Sequence, residues 1–144
     1  MDDPFGLARF VAAQAPVYDR VCEELRRGRK ATHWMWFVFP QRAGLGHSEM
    51  ARRFAIASRA EAEAYLAHPV LGARLLECSR LVHDASGHAA HAIFGSPDDL
   101  KFRSSMTLFA QVAGPGSIFA GNLDRYFDGV ADPATLEWMG IRQG

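Results

Sequence analysis

The sequence is poor in the features that usually announce a function. It has 2 cysteines, Cys22 and Cys78, and no C-x-x-C spacing. That excludes a disulfide framework and suits a reducing compartment, with each thiol read as a small core residue. No apolar run is long enough to cross a bilayer. The longest, Trp34 to Phe39, would have to be about three times longer. Met1-Asp2-Asp3-Pro4 is acidic and carries no signal core, so the expected location is the cytoplasm, with no membrane partner. Charge of one sign is also lacking, since 16 Lys plus Arg balance 16 Asp plus Glu. Neutrality argues against nucleic acid as a partner, because that binding draws on basic excess. The local run Arg26, Arg27, Arg29 and Lys30 reads as a helix end whose cations suit the helix dipole. No P-loop and no H-E-x-x-H pair is present. His83, His88 and His91 form the densest histidine group but lack a convergent ligand set, so no metal and no cofactor is expected.

What is present is helix punctuation. The length of 144 residues fits a single domain over 1–144, able to fold without disulfide or metal. Pro16 opens a helix with Val17, Val21 and Leu25 on one face and Gly28 as its stop. Ser48 caps another, and Ser58 with Glu61 forms a capping box. After His68-Pro69, the positions Leu71, Leu75, Cys78 and Val82 line one helical face, ended by Gly87. A short piece runs from His88 to Phe94. Ser96 is expected to cap the next helix, with Pro97 in its first turn, Asp98 and Asp99 facing its positive end, and Phe102, Met106 and Phe109 along one side. Asp132-Pro133 starts the last helix, and Arg142 to Gly144 should fray. The expected fold is all-α, about seven or eight short helices with no substantial sheet.

The segment His33-Trp34-Met35-Trp36-Phe37-Val38-Phe39-Pro40-Gln41 stands out. It is apolar on every side, so periodicity cannot choose helix or strand. A short buried helical turn running into an irregular loop fits best, with Phe39 extended before Pro40. Most of its rings read as core. Its polar ends, His33 and Gln41, need partners if buried, and His33 is a candidate for proton transfer. The following loop carries Gly44 and Gly46 before Ser48, a geometry that lets a ligand approach backbone. A second cluster opens the helix after Pro97. There Asp98 has pairing spacing with Lys101, and Asp99 with Arg103. Lys101 and Ser105 are four residues apart, the spacing of a serine nucleophile with a lysine base. Serines are poor mid-helix residues, so Ser104 and Ser105 should have another use.

Several stretches together carry a resemblance: RFVAAQAPVYDRVCEELRRGRK, HWMWFVFPQ, GLGHS, AEAYLAHPVLGARLLEC, IFGSPDDLKFRSSMTLF and DPATLEWM. In order, they cover nearly the whole chain. The sequence resembles the bacterial family called domain of unknown function 1810, whose members are often mislabelled calpastatin. The calpastatin label does not suit this chain, which lacks that inhibitor's disordered, repetitive composition. The resemblance implies a mainly helical domain and no established activity, substrate or cofactor. Its motif positions fall on Gln14, Tyr18, His33, Trp34, Trp36, Pro40, Gln41, Ser48, Asp99, Lys101, Ser105 and Phe109.

Two functions follow as expectations. The first is a small polar or nucleotide-derived ligand bound in an aromatic-lined pocket, with hydrolysis as an extension. Tyr18, Trp34 and Trp36 would be its walls, and His33, Gln41, Ser48, Asp99, Lys101 and Ser105 its polar contacts. The alternative is a non-enzymatic protein-interaction module, which would gain if Trp34 and Trp36 formed an exposed convex patch.

Overall fold

The computed structural model describes residues 2–85 and 89–141. Among these residues there are ten helices: α1 (Ala8–Gln14), α2 (Tyr18–Arg26), α3 (Met35–Val38), α4 (Glu49–Arg53), α5 (Arg59–Ala67), α6 (Leu71–Asp84), α7 (Ala90–Phe94), α8 (Asp98–Ala113), α9 (Ile118–Phe127) and α10 (Pro133–Trp138). Among the described residues the only β-type pairing is an isolated parallel bridge between Arg42 and Ile56. The all-α expectation therefore holds. The helix count exceeds the seven or eight expected, with α3, α4 and α7 only four or five residues long. Gly87, His88 and Arg142 to Gly144 lie outside the described residues.

Local chemistry sets most boundaries. Ser48 Oγ accepts from Ala51 N at 3.1 Å, and Ser58 Oγ accepts from Glu61 N at 3.1 Å. The second half of the capping box is modified, since Glu61 Oε1 takes the N–H of Ala57 at 3.1 Å. Its other oxygen meets Arg9 Nη2 at 2.9 Å, and Arg9 also donates to Arg53 O and Ala55 O, tying α1 to the entry of α5. Asp132 Oδ2 accepts from Thr135 N at 3.2 Å and caps α10. Ser96 does not cap α8. The N-cap is Pro97, after a cis Ser96-Pro97 bond, and it makes no side-chain cap bond. Asp98 and Asp99 do occupy the first turn, as the dipole favours.

α8 lies at the centre and packs against α5, α7, α9 and α10. It is buried on more than one side, which is why its apolar stripe is hard to delimit. Its mid-helix hydroxyls are used internally. Ser104 Oγ lies 3.1 Å from both Leu100 O and Asp132 Oδ2, and Thr107 Oγ1 donates to Arg103 O at 2.8 Å. Phe102 lies in an aromatic group, stacked on Phe94 with centroids 4.6 Å apart and edge-on to Phe39 at 5.0 Å. The expected face of α6, namely Leu71, Leu75, Cys78 and Val82, is wholly buried.

Candidate functional site

The chain enters the aromatic segment under the control of Glu24 on α2. This buried carboxylate accepts from Ala31 N at 2.6 Å, Thr32 N at 3.0 Å, Thr32 Oγ1 at 2.6 Å and Trp34 Nε1 at 2.9 Å. Burial alone would push its pKa up. The four donors outweigh burial and hold it down at about 2. Trp34 is thereby fixed in the core, 1% exposed.

α3 then makes one turn. Met35, Phe37 and Val38 face inward, and Trp36 is the half-buried member. Lys101 of α8 sets its ammonium 5.4 Å from the centroid of the Trp36 ring. The same ammonium lies 3.5 Å from Asp98 Oδ1, while Asp98 Oδ2 takes Lys30 Nζ at 3.0 Å. Lys30 is therefore not part of a surface basic patch. Its side chain is 9% exposed and lies 5.3 Å from the Trp34 ring.

Trp36 also joins Gln41, Arg42, Leu45, Gly46, Ala51 and Phe54 around a pit of about 10 Å³. That is roughly the space of one water molecule. The pit loop is pinned by Ala43 N to Ile56 O at 2.8 Å and Ile56 N to Gln41 O at 2.9 Å. Gly44 sits at φ +93°, and a Cβ on Gly46 would meet Ala51 Cβ at 2.6 Å, so both positions need glycine. Arg42 Nη1 donates to Ala43 O at 3.0 Å, but its buried Nε has no hydrogen-bond partner among the described residues. Three cations, Lys30, Arg42 and Lys101, and two carboxylates, Asp98 and Glu24, thus stand around the two indoles. The surplus charge is positive and favours an anion.

The expected site residues divide. Trp36, Gln41 and Lys101 come together through the Trp36 ring. Ser48 supports them indirectly by capping α4, whose Ala51 lines the pit. Asp99 stands beside them in sequence, accepting from Leu100 N at 2.9 Å and lying 3.5 Å from His91 Nδ1. His33 is exposed. Ser105 is wholly buried with no partner for its Oγ among the described residues, so it forms no pair with Lys101. Tyr18 lies on α2, where its hydroxyl donates to Glu77 of α6 and Arg74 sits 4.9 Å from its ring. The sequence reading missed Arg42, Lys30 and Glu24. The spacing of Asp98 with Lys101 was its only pointer to the charge cluster. None of the residues lining the pit is a nucleophile paired with a base.

Fold and site define a small helical protein with a cation-flanked tryptophan at its surface. The chain belongs to the family described as protein of unknown function DUF1810, whose model matches residues 4–139. It is similar to the conserved hypothetical protein Rv1873 from Mycobacterium tuberculosis, known from a crystal structure at 1.38 Å. The two are 53% identical, over 97% of this chain and 100% of that one, with a TM-score of 0.93. No curated protein matches the chain. Among the described residues no helix is long and apolar enough to cross a membrane.

Proposed function

We propose that this protein binds a small anionic, ring-bearing metabolite, of the nucleotide-derived or phosphorylated class, against Trp36 between Lys101 and Arg42. One juxtaposition supports this: the Lys101 ammonium lies over the indole of Trp36, the ring that lines the pit together with Arg42. An indole stacks on a base or a sugar face, and two cations suit a phosphate. The pit holds no more than a water, so the ligand lies across the surface of Trp36 and does not enter the pit. Lys101 is 27% exposed on a flexible stem and can turn from the ring to a ligand oxygen. The geometry favours binding over turnover, and a hydrolytic step would fall to Asp99 or His33. The protein is placed in the cytoplasm on its sequence features. The interaction-module alternative would gain from an exposed patch of both tryptophans; Trp34 is buried, so that reading takes second place.

The test is a thermal-shift panel of nucleotides, dinucleotides and sugar phosphates at millimolar concentration. At least one should raise the melting temperature, and Trp36→Ala and Lys101→Ala should each abolish that rise while remaining folded. The absence of any shift across the panel, or a shift that survives both substitutions, overturns the proposal.

A further inference from the structure

The two cysteines, distant in sequence, meet where α2 packs on α6. Cys22 follows Tyr18 by one helical turn, and Cys78 follows Glu77 directly. Cys22 Sγ lies 3.6 Å from Glu77 Oε1, the oxygen that also accepts the Tyr18 hydroxyl. Cys78 Sγ lies 4.0 Å from that hydroxyl. Both sulfurs thus sit against the same Tyr18–Glu77 pair across the helix interface, and both remain thiols.

We infer that Cys22 and Cys78 form a peroxide-reactive dithiol, in which Cys22 is oxidised first and Cys78 resolves it to an intramolecular disulfide joining α2 to α6. The two sulfurs are not equivalent. Cys22 is 4% exposed and Cys78 1%. Cys22 also touches the carboxylate of the exposed Glu77. That residue lines a groove of about 430 Å³ along α6 with Ala73, Leu76, Arg80 and Leu81, ample for a hydroperoxide. The neighbouring Cys78 thiol draws the Cys22 thiol down to about 7, with help from the Tyr18 hydroxyl and against burial and the Glu77 carboxylate, both of which raise it. The same contact and burial push Cys78 up. The shallower sulfur is therefore the better thiolate, and the thiolate is the nucleophile.

The chemistry balances with a hydroperoxide as oxidant. The Cys22 thiolate attacks one peroxide oxygen, the O–O bond breaks, and hydroxide leaves, taking up the proton that Cys78 gives up. Cys22 is now a sulfenic acid. The Cys78 thiolate attacks the Cys22 sulfur, the S–O bond breaks, and the hydroxyl leaves as water with a proton from solvent. Together the two thiols lose two electrons and two protons, and hydrogen peroxide becomes two waters.

The full chain, reduced and freed of reductant, should be titrated with hydrogen peroxide, then denatured and treated with a maleimide. Both thiols should disappear together, in a monomer lighter by two hydrogens, and dithiothreitol should restore both. With Cys78→Ser, Cys22 should accumulate as a sulfenic acid trapped by dimedone. With Cys22→Ser, Cys78 should stay reduced under the same treatment. Retention of both thiols in excess peroxide, a disulfide formed only between chains, or equal reactivity of Cys78 in Cys22→Ser overturns the inference. The wild-type titration decides the matter even if a variant fails to fold.

Discussion

A carboxylate ringed by four donors stays charged despite burial, and Glu24 is in that position. Its hydrogen bonds organise the turn from Ala31 to Trp34, so this one side chain decides where the aromatic segment begins. Glu24→Gln replaces an acceptor oxygen with a donor and leaves buried N–H groups without partners. It should lower the unfolding free energy by about 2–3 kcal/mol, measured by urea unfolding at neutral pH. The pH dependence has a fixed sign. The folded pKa is lowered from 4.5 to about 2, so the stabilisation is complete above the unfolded value. It is lost as pH falls from about 4.5 towards 2. The Gln variant should lack this component, and the gap between variant and wild type should narrow over that window. A gap that stays constant between neutral pH and the acid limb would show that the carboxylate charge is not what holds the turn. Glu24 was not legible in the sequence. It sits in a helix among ordinary charged neighbours, and its donors come from a segment whose path only the fold reveals.

At the scale of elements, the sequence is a good guide wherever a boundary is made by neighbours in the chain. Ser48, Ser58 and Asp132 cap helices as their spacing implies, and Gly28, at φ +71°, ends α2. The exceptions come from contacts between elements. Glu61 turns part of its capping role over to Arg9, because α1 delivers a guanidinium there. α3 is four residues with three faces buried, so no period in the run could say that Trp36 is the ring left at the surface. Gly72, inside α6, looks like a mild propensity defect. In the structure a Cβ at that position would fall 2.1 Å from the backbone oxygen of Leu66, where the end of α5 crosses the start of α6. Gly72→Ala, normally favourable within a helix, should therefore destabilise the protein by about 1–3 kcal/mol or more. The check is the chemical-denaturation midpoint. A midpoint equal to or above that of wild type would mean that α5 and α6 can separate without cost.

Across the whole molecule, core and candidate site share one framework. α8 carries Phe102 into the aromatic centre and, one residue earlier, holds Lys101 over Trp36. The two tryptophans, adjacent but for Met35, belong to opposite sides of that framework. Trp34 points into the centre and satisfies Glu24, and Trp36 lies against the cations at the rim. Composition could say that the run was mostly core. It could not separate the rings, because that separation depends on Lys30, Asp98, Lys101 and the Arg42–Ile56 bridge arriving from distant parts of the chain. The separation is measurable. Trp34→Ala removes a fully buried ring and leaves a charged acceptor short of a donor, so it should cost about 3–5 kcal/mol. That is a large share of a total that is ordinarily about 5–15 kcal/mol, and the variant should lose its cooperative thermal transition or melt far lower. Trp36→Ala gives up only partial burial and one cation–ring contact, and should stay within about 1.5 kcal/mol of wild type. Differential scanning calorimetry of the two variants side by side tests this division. Equal losses would make Trp36 a core residue, and the surface site would lose its central wall. A large loss for Trp34 alone would leave Trp36 free of a structural role, as a ring kept at the surface for a ligand should be.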